Sequence, residues 1–168
     1  MLALIACLVV GATLVAAAGA VDPGTGELSV ERGKGAVTLE LRGSMLGLLG
    51  NGVLTVTDLT PRDRYVAMVV GRKMKTVYVG PRTTRYRGQG LRFRMLGGGY
   101  RIVVRGSGIA LSAVGRGWVT LDGDRLTPFD DAGVYSLNGV DCSSDPASCT
   151  PLPDVTERYT LGPAAPLP

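Results

Sequence analysis

The sequence predicts an all-β fold, an antiparallel β-sandwich or small β-barrel, preceded by one N-terminal hydrophobic helix. Three observations carry this. Apolar and polar residues alternate with period two over several stretches, the mark of half-buried strands. Turn residues are dense, with 25 glycines and 10 prolines in 168 residues. Two parts of the chain share ordered markers, which suggests two related halves of one sandwich or barrel.

Residues 1–21 are read as a signal peptide or transmembrane anchor. Leu2 to Val21 is an uncharged apolar run, long enough to span a bilayer as a helix, and Ala18-Gly19-Ala20 suits a small-residue cleavage site. Either reading puts the rest of the chain outside the cytoplasm, secreted or membrane-anchored in a bacterial envelope. The bias toward Ala, Gly, Val and Arg fits a GC-rich bacterial genome. Residues 22–26 form a spacer, 27–140 a β-rich domain, 141–161 a disulfide loop with an edge strand, and 162–168 a Pro-rich disordered tail.

Within the domain the first expected element is a hairpin over Leu28–Leu41. A turn at Gly33-Lys34 pairs Val30 with Val37 and Leu28 with Leu39 on one apolar face. Ser44 to Asn51, SMLGLLGN, is apolar but broken by glycine and reads as a buried loop or irregular strand. Val53–Thr57 is a short strand, closed by Asp58-Leu59-Thr60-Pro61. A hairpin over Tyr65–Val79 turns at Gly71-Arg72 and carries apolar residues on both faces, and 81–90 is a basic loop or frayed edge strand. The most regular hairpin is Leu91–Arg105. With a turn at Gly97-Gly98, Leu91, Phe93, Met95, Tyr100, Ile102 and Val104 share a buried face, and Arg94 faces Arg101 on the other. Val134–Leu137 and Val155–Leu161 read as late strands. The repeat is carried by Arg42-Gly43-Ser44 and Arg105-Gly106-Ser107, by two Gly-x-Gly turns, and by Leu59-Thr60-Pro61 and Leu126-Thr127-Pro128.

The absence of His excludes Ser-His-Asp and Cys-His catalysis and His-based zinc sites. No GxSxG elbow, P-loop or complete dinucleotide fingerprint is present, and no motif names a family. The chain is read as a non-enzyme with no metal and no cofactor. Cys7 lies in the leader, so Cys142 and Cys149 are expected to form one local disulfide in an oxidising compartment. Asp122, Asp124, Asp130 and Asp131 are read as solvated turn residues, with a calcium loop and a two-carboxylate site as alternatives.

Charge is strongly segregated. Arg62 to Arg105 holds 12 basic residues and one acid, a net of +11, whereas Leu121 to the end holds eight acids and two bases, a net of −6. Arg92, Arg94, Arg101, Arg85 and Arg87 are therefore the candidate anion-binding residues, and their partner is either the chain's own acidic C-terminal segment or an external anion. External candidates are an anionic envelope polymer or a membrane surface. Membrane association through residues 2–21 is added if the leader stays. Nucleic acid is disfavoured, because Phe93 and Tyr100 are expected in the core and not free to stack on bases. The function expected is a binding or structural envelope domain. The alternatives are a carboxylate-dependent hydrolase of a wall polymer and a partner-binding module with an open sheet edge.

Overall fold

The computed structural model describes residues 26–126 and 131–162, so the expected leader helix, most of the spacer and the tail from 163 on lie outside the described residues. Six strands account for most of it: β1 (Glu27–Asp58), β2 (Met68–Gly80), β3 (Thr83–Gly123), β4 (Val134–Ser136), β5 (Thr150–Pro151) and β6 (Glu157–Leu161), with a 3-10 turn at Pro146–Ser148. They form one antiparallel sheet in the order β2-β3-β1-β4-β5, with β6 also on β3. The sheet does not close into a barrel, which removes that half of the expectation. Among the described residues no helix is long and apolar enough to cross a membrane.

Two very long strands dominate. Fully extended, the 41 residues of β3 would reach roughly 135 Å. They stay compact because β1 and β3 coil together. Val37 of β1 lies beside both Val104 and Leu121 of β3, and Val104 in turn lies between Val37 and Leu54. Val37 and Val104 thus each meet the partner strand a second time, 17 residues further on.

Glycines make the coil sterically feasible. Gly123, Gly35, Gly106, Gly52 and Gly88 are successive cross-strand partners, so one row of glycines runs across the sheet. At Gly52 and Gly106, φ is +152° and +146°, a region closed to side chains. A Cβ on Gly106 would overlap the Asn51 carbonyl oxygen and sit 2.9 Å from the Gly52 Cα. A second row is built from Gly26, Gly115 and Gly43, with Gly115 N–H donating to the Gly26 carbonyl at 2.8 Å. Both Arg-Gly-Ser triplets sit at these rows, one at Gly43 and one at Gly106.

The expected hairpins at Gly33-Lys34, Gly71-Arg72 and Gly97-Gly98 are not hairpins. At each site the strand runs straight on. Met95 pairs with Met45 rather than Tyr100, and Tyr100 pairs with Leu41 and Asp58. Val30 pairs with Leu111 and Tyr135, not Val37. The hairpin that does form joins β2 to β3 through Pro81-Arg82, with Gly80 opposite Thr83. Residues 83–90, expected as a basic loop or frayed edge, begin β3 and pair on both sides.

The faces assigned to the three regions fare better. Leu91, Phe93, Met95, Tyr100, Ile102 and Val104 are all buried, as are Leu28, Val30, Val37, Leu39 and Leu41. The reason is phase. Along β3 the buried side chains are odd-numbered from Leu91 to Met95, even from Tyr100 to Val104, and odd again from Ile109. The changes fall at Gly97–Gly99 and Gly106–Gly108, where positive φ values insert one extra residue, as a β-bulge does. In β1 they fall at Arg32-Gly33 and at Gly50–Gly52. A bulge and a two-residue turn re-phase the alternation alike, so the same residues reach the core. That core is one cluster drawn from both long strands. Each fully buried Leu or Ile in it contributes roughly 1.5–3 kcal/mol.

The segment after β1 explains the triple glycine. Asp58 Oδ1 accepts from Thr60 N–H at 2.8 Å, and Gly99 N–H donates to Thr60 Oγ1 at 2.8 Å. The Tyr65 ring packs over Gly97, where a Cβ would meet Cε1 at 2.6 Å. Tyr100 reaches across to donate to the Tyr65 carbonyl at 2.9 Å. Burial, with Asp58 and Asp63 nearby, holds the Tyr100 phenol above its usual pKa.

At the C-terminal end β4 pairs with β1, and β6, inside the expected Val155–Leu161 strand, pairs with β3. Cys142 and Cys149 are joined, with Cα atoms 5.9 Å apart. Cys142 N–H donates to Ser29 Oγ at 3.0 Å, which fastens the disulfide loop to β1.

Candidate functional site

Residues that alternate with the core project from the outer surface of the sheet, and the long glycine row divides that surface into two panels. On the first, the cross-strand order is Ser29, Ser112, Leu46, Arg94, Met68. One row further lie Ala110, Leu48, Arg92 and Val70. On the second panel the order is Asp122, Ala36, Arg105, Val53, Arg87, Lys75, and the row beyond it holds Val103, Thr55, Arg85 and Val77.

The five candidate arginines therefore do not form one face. Arg94 and Arg101 are not neighbours. Arg101 stands opposite Glu40, and its Nε and one terminal nitrogen donate to the same Glu40 carboxylate oxygen at 2.7 and 2.5 Å. The expected clash at that position is replaced by an ion pair supplied by β1. Arg85 and Arg87 are exposed on the second panel, and Arg92 and Arg94 on the first. None of these four forms an ion pair among the described residues. The like-charge juxtaposition exists elsewhere: Lys75 lies directly opposite Arg87. Such a cross-strand pair is unfavourable until an anion sits between its members. With Arg85 and Arg105 it makes an open basic strip.

Among the described residues no carboxylate of the acidic C-terminal segment forms an ion pair with Lys75, Arg85, Arg87, Arg92 or Arg94, whereas Arg105 shares a depression with three of its aspartates. Asp131 pairs with Arg32 at 3.6 Å. Arg158 stacks 4.1 Å over the Trp118 ring. Tyr135 and Tyr159 share a hydrogen bond at 2.7 Å, and Tyr159 donates to Glu157. Burial first, then the Glu157 and Tyr135 hydrogen bonds, push the Tyr159 phenol far above its usual pKa. Asp122 and Asp124 line a polar depression of about 560 Å³ together with Asp154, Arg105 and Arg125. Asp130 lies outside the described residues. No group of three or more acidic or Cys side chains gathers into a metal site among the described residues.

The first panel holds a feature the sequence reading missed. Leu46, Leu48, Met68 and Val70 are exposed around a cavity of about 580 Å³ that also takes in Arg92 and Arg94. Leu46, Met68 and Val70 are about half exposed, at 49, 55 and 53 %. Asp141 and Ser143 of the disulfide loop stand at its far side, near Glu31. Ser143 hydrogen bonds hold the Asp141 carboxyl below the usual carboxylate pKa. The signal in the sequence was apolar character on both faces at once, in SMLGLL and in AMVV. A segment that is apolar on both faces has one face too many for the core.

Compared with known proteins, the chain matches no family model, no curated protein and no solved structure.

Proposed function

We propose that the chain is a binding or structural domain of a bacterial cell envelope, exported through residues 1–21 and either released or held at the membrane by them. Its partner is an anionic envelope polymer, gripped by the strip Lys75, Arg85, Arg87 and Arg105. The observation behind this reading is the facing of Lys75 and Arg87 with no carboxylate partner among the described residues. Arginine forks suit the oxygens of phosphate or carboxylate polymers. The coiled sheet is taken as a two-layered sandwich that presents the strip on an outer surface, with two glycine rows as its corners.

The test is retention on an immobilised phosphate polymer over a salt gradient. The variant K75Q/R85Q/R87Q should elute at clearly lower salt than the parent, since each lost phosphate contact lowers the salt sensitivity. Arg101→Gln, which removes a cation already paired with Glu40, should elute close to the parent. Equal retention of the triple variant and the parent sinks the reading. Fractionation of the producing cell tests export: recovery of the chain in the cytoplasm with residues 1–21 intact rejects it.

A further inference from the structure

The cavity on the first panel is separate from the basic strip and has a different chemistry. Its lining is largely apolar, yet Arg92 and Arg94 join it, between Leu46 and Leu48 on one strand and Met68 and Val70 on the other. Arg92 and Arg94 are two positions apart on β3, about 7 Å along the strand, so one anionic head can lie between them. Neither has an ion-pair partner among the described residues. Leu46, Leu48, Met68 and Val70 supply the apolar walls. The volume of about 580 Å³ falls within the range of small-molecule sites.

We propose that this groove binds a single-chain anionic lipid, with its carboxylate or phosphate head between Arg92 and Arg94 and its hydrocarbon chain along Leu46 and Leu48. Two features select this occupant. The floor belongs to strands that are paired on both sides, at Leu46 with Ser112 and Arg94 and at Leu48 with Ala110 and Arg92. Its backbone groups are used up in the sheet, so a peptide laid there would lose water without gaining main-chain partners. A hydrocarbon chain loses nothing of the kind. The charges also fix direction. Glu31 and Asp141 stand at the side away from the arginines and repel an anionic head there, and the Ser143 hydrogen bonds keep Asp141 ionised.

The experiment is calorimetric titration of the full chain with dodecanoate below its micelle concentration. Acetate, dodecyltrimethylammonium and dodecyl maltoside serve as comparison ligands. Dodecanoate is expected to bind one to one and acetate not at all. The cationic and neutral amphiphiles should bind at least tenfold more weakly than dodecanoate. Affinity should rise about twofold per methylene between decanoate and tetradecanoate, half the effect of complete burial because the walls stay half exposed. R92Q/R94Q, a change of two exposed side chains, should weaken dodecanoate at least tenfold. Ala110→Trp should block the groove. The strip variant K75Q/R85Q/R87Q should bind dodecanoate like the parent, which separates failure here from failure of the polyanion reading. No binding, equal binding of the cationic amphiphile, no dependence on chain length, or an unaffected R92Q/R94Q would each overturn the proposal. So would equally tight binding of an apolar peptide.

Discussion

Replacing Gly106 with Ala tests the claim that glycine rows allow the long strands to coil. At φ +146° an alanine is strained, which costs roughly 1–3 kcal/mol. Its Cβ would also overlap the Asn51 carbonyl oxygen, and that neighbour is backbone and has no rotamer to change. Relief requires β1 to shift away from β3, an overpacking cost of roughly 1–3 kcal/mol. The gain from a stiffer unfolded chain returns only about 0.4–1 kcal/mol. The net loss is roughly 1–5.6 kcal/mol, about 3 at mid-range, a large part of the 5–15 kcal/mol typical of a whole domain. For a domain of this size the melting temperature should fall by roughly 10 °C or more. Gly80→Ala is the control, because a Cβ there meets nothing within 4 Å. It should melt within a few degrees of the parent. Urea unfolding followed by circular dichroism measures both. If Gly106→Ala lies within about 1 kcal/mol of the parent, close approach at the glycine row does not constrain the fold.

Other consequences are as direct. Gly47→Ala should be destabilising because its Cβ would enter the Phe93 ring, and combining it with Phe93→Leu should cost less than the sum of the two, as a double-mutant cycle by urea unfolding will read. C142S/C149S should lose about 2–3 kcal/mol, the loop-closure value for a bridge this short, in the same unfolding assay. The phenols of Tyr100 and Tyr159 are both raised in the folded state, so their contribution is full below about pH 10 and falls as pH rises beyond it, where the unfolded chain ionises first. Tyr135→Phe removes one of the hydrogen bonds that raise Tyr159 and should lower its titration midpoint, followed by phenolate absorbance. Glu40→Gln should change stability by no more than about 1 kcal/mol, since its pair with Arg101 is partly open to solvent and screened.

Much of the fold could be read from the sequence, but not its pairing. Period-two alternation identified the core correctly at Leu28, Val30, Phe93, Tyr100 and Ile102, because face is a local property of a strand. Pairing is a relation between distant residues. At Gly97-Gly98 the alternation shifts by one, and a tight turn and a bulge produce the same shift. The distinguishing clue was spacing along the whole chain: Gly26, Gly35, Gly43 and Gly52 recur every eight or nine residues, as do Gly97, Gly106, Gly115 and Gly123. Hairpin turns have no reason to keep such a period. The site was legible in part for the same reason. Alternation put Arg92 and Arg94 on the outward face, where they lie, but their separation from Arg85 and Arg87 by a glycine row and the pairing of Arg101 with Glu40 depend on register. The groove escaped notice because its walls come from three strands.

The coil also shapes how the chain must find its native state. Val37 accepts either Val104 or Leu121 as a neighbour, and Gly35 accepts either Gly106 or Gly123. Over residues 35–42 a slip of one full winding, 17 residues, would therefore set glycine against glycine and apolar against apolar, unlike the usual one-residue slip that turns a strand inside out. The long strands by themselves specify their partner far better than their place along it. The short C-terminal pieces break that degeneracy: β4 pairs at Ser29–Glu31, β6 at Gly117–Leu121, and the bridged loop docks on Ser29. These late elements act as an index mark on a screw thread. A chain cut before them should collapse readily yet populate several windings, and the intact chain should show a slow refolding phase that ends when β4 and β6 engage.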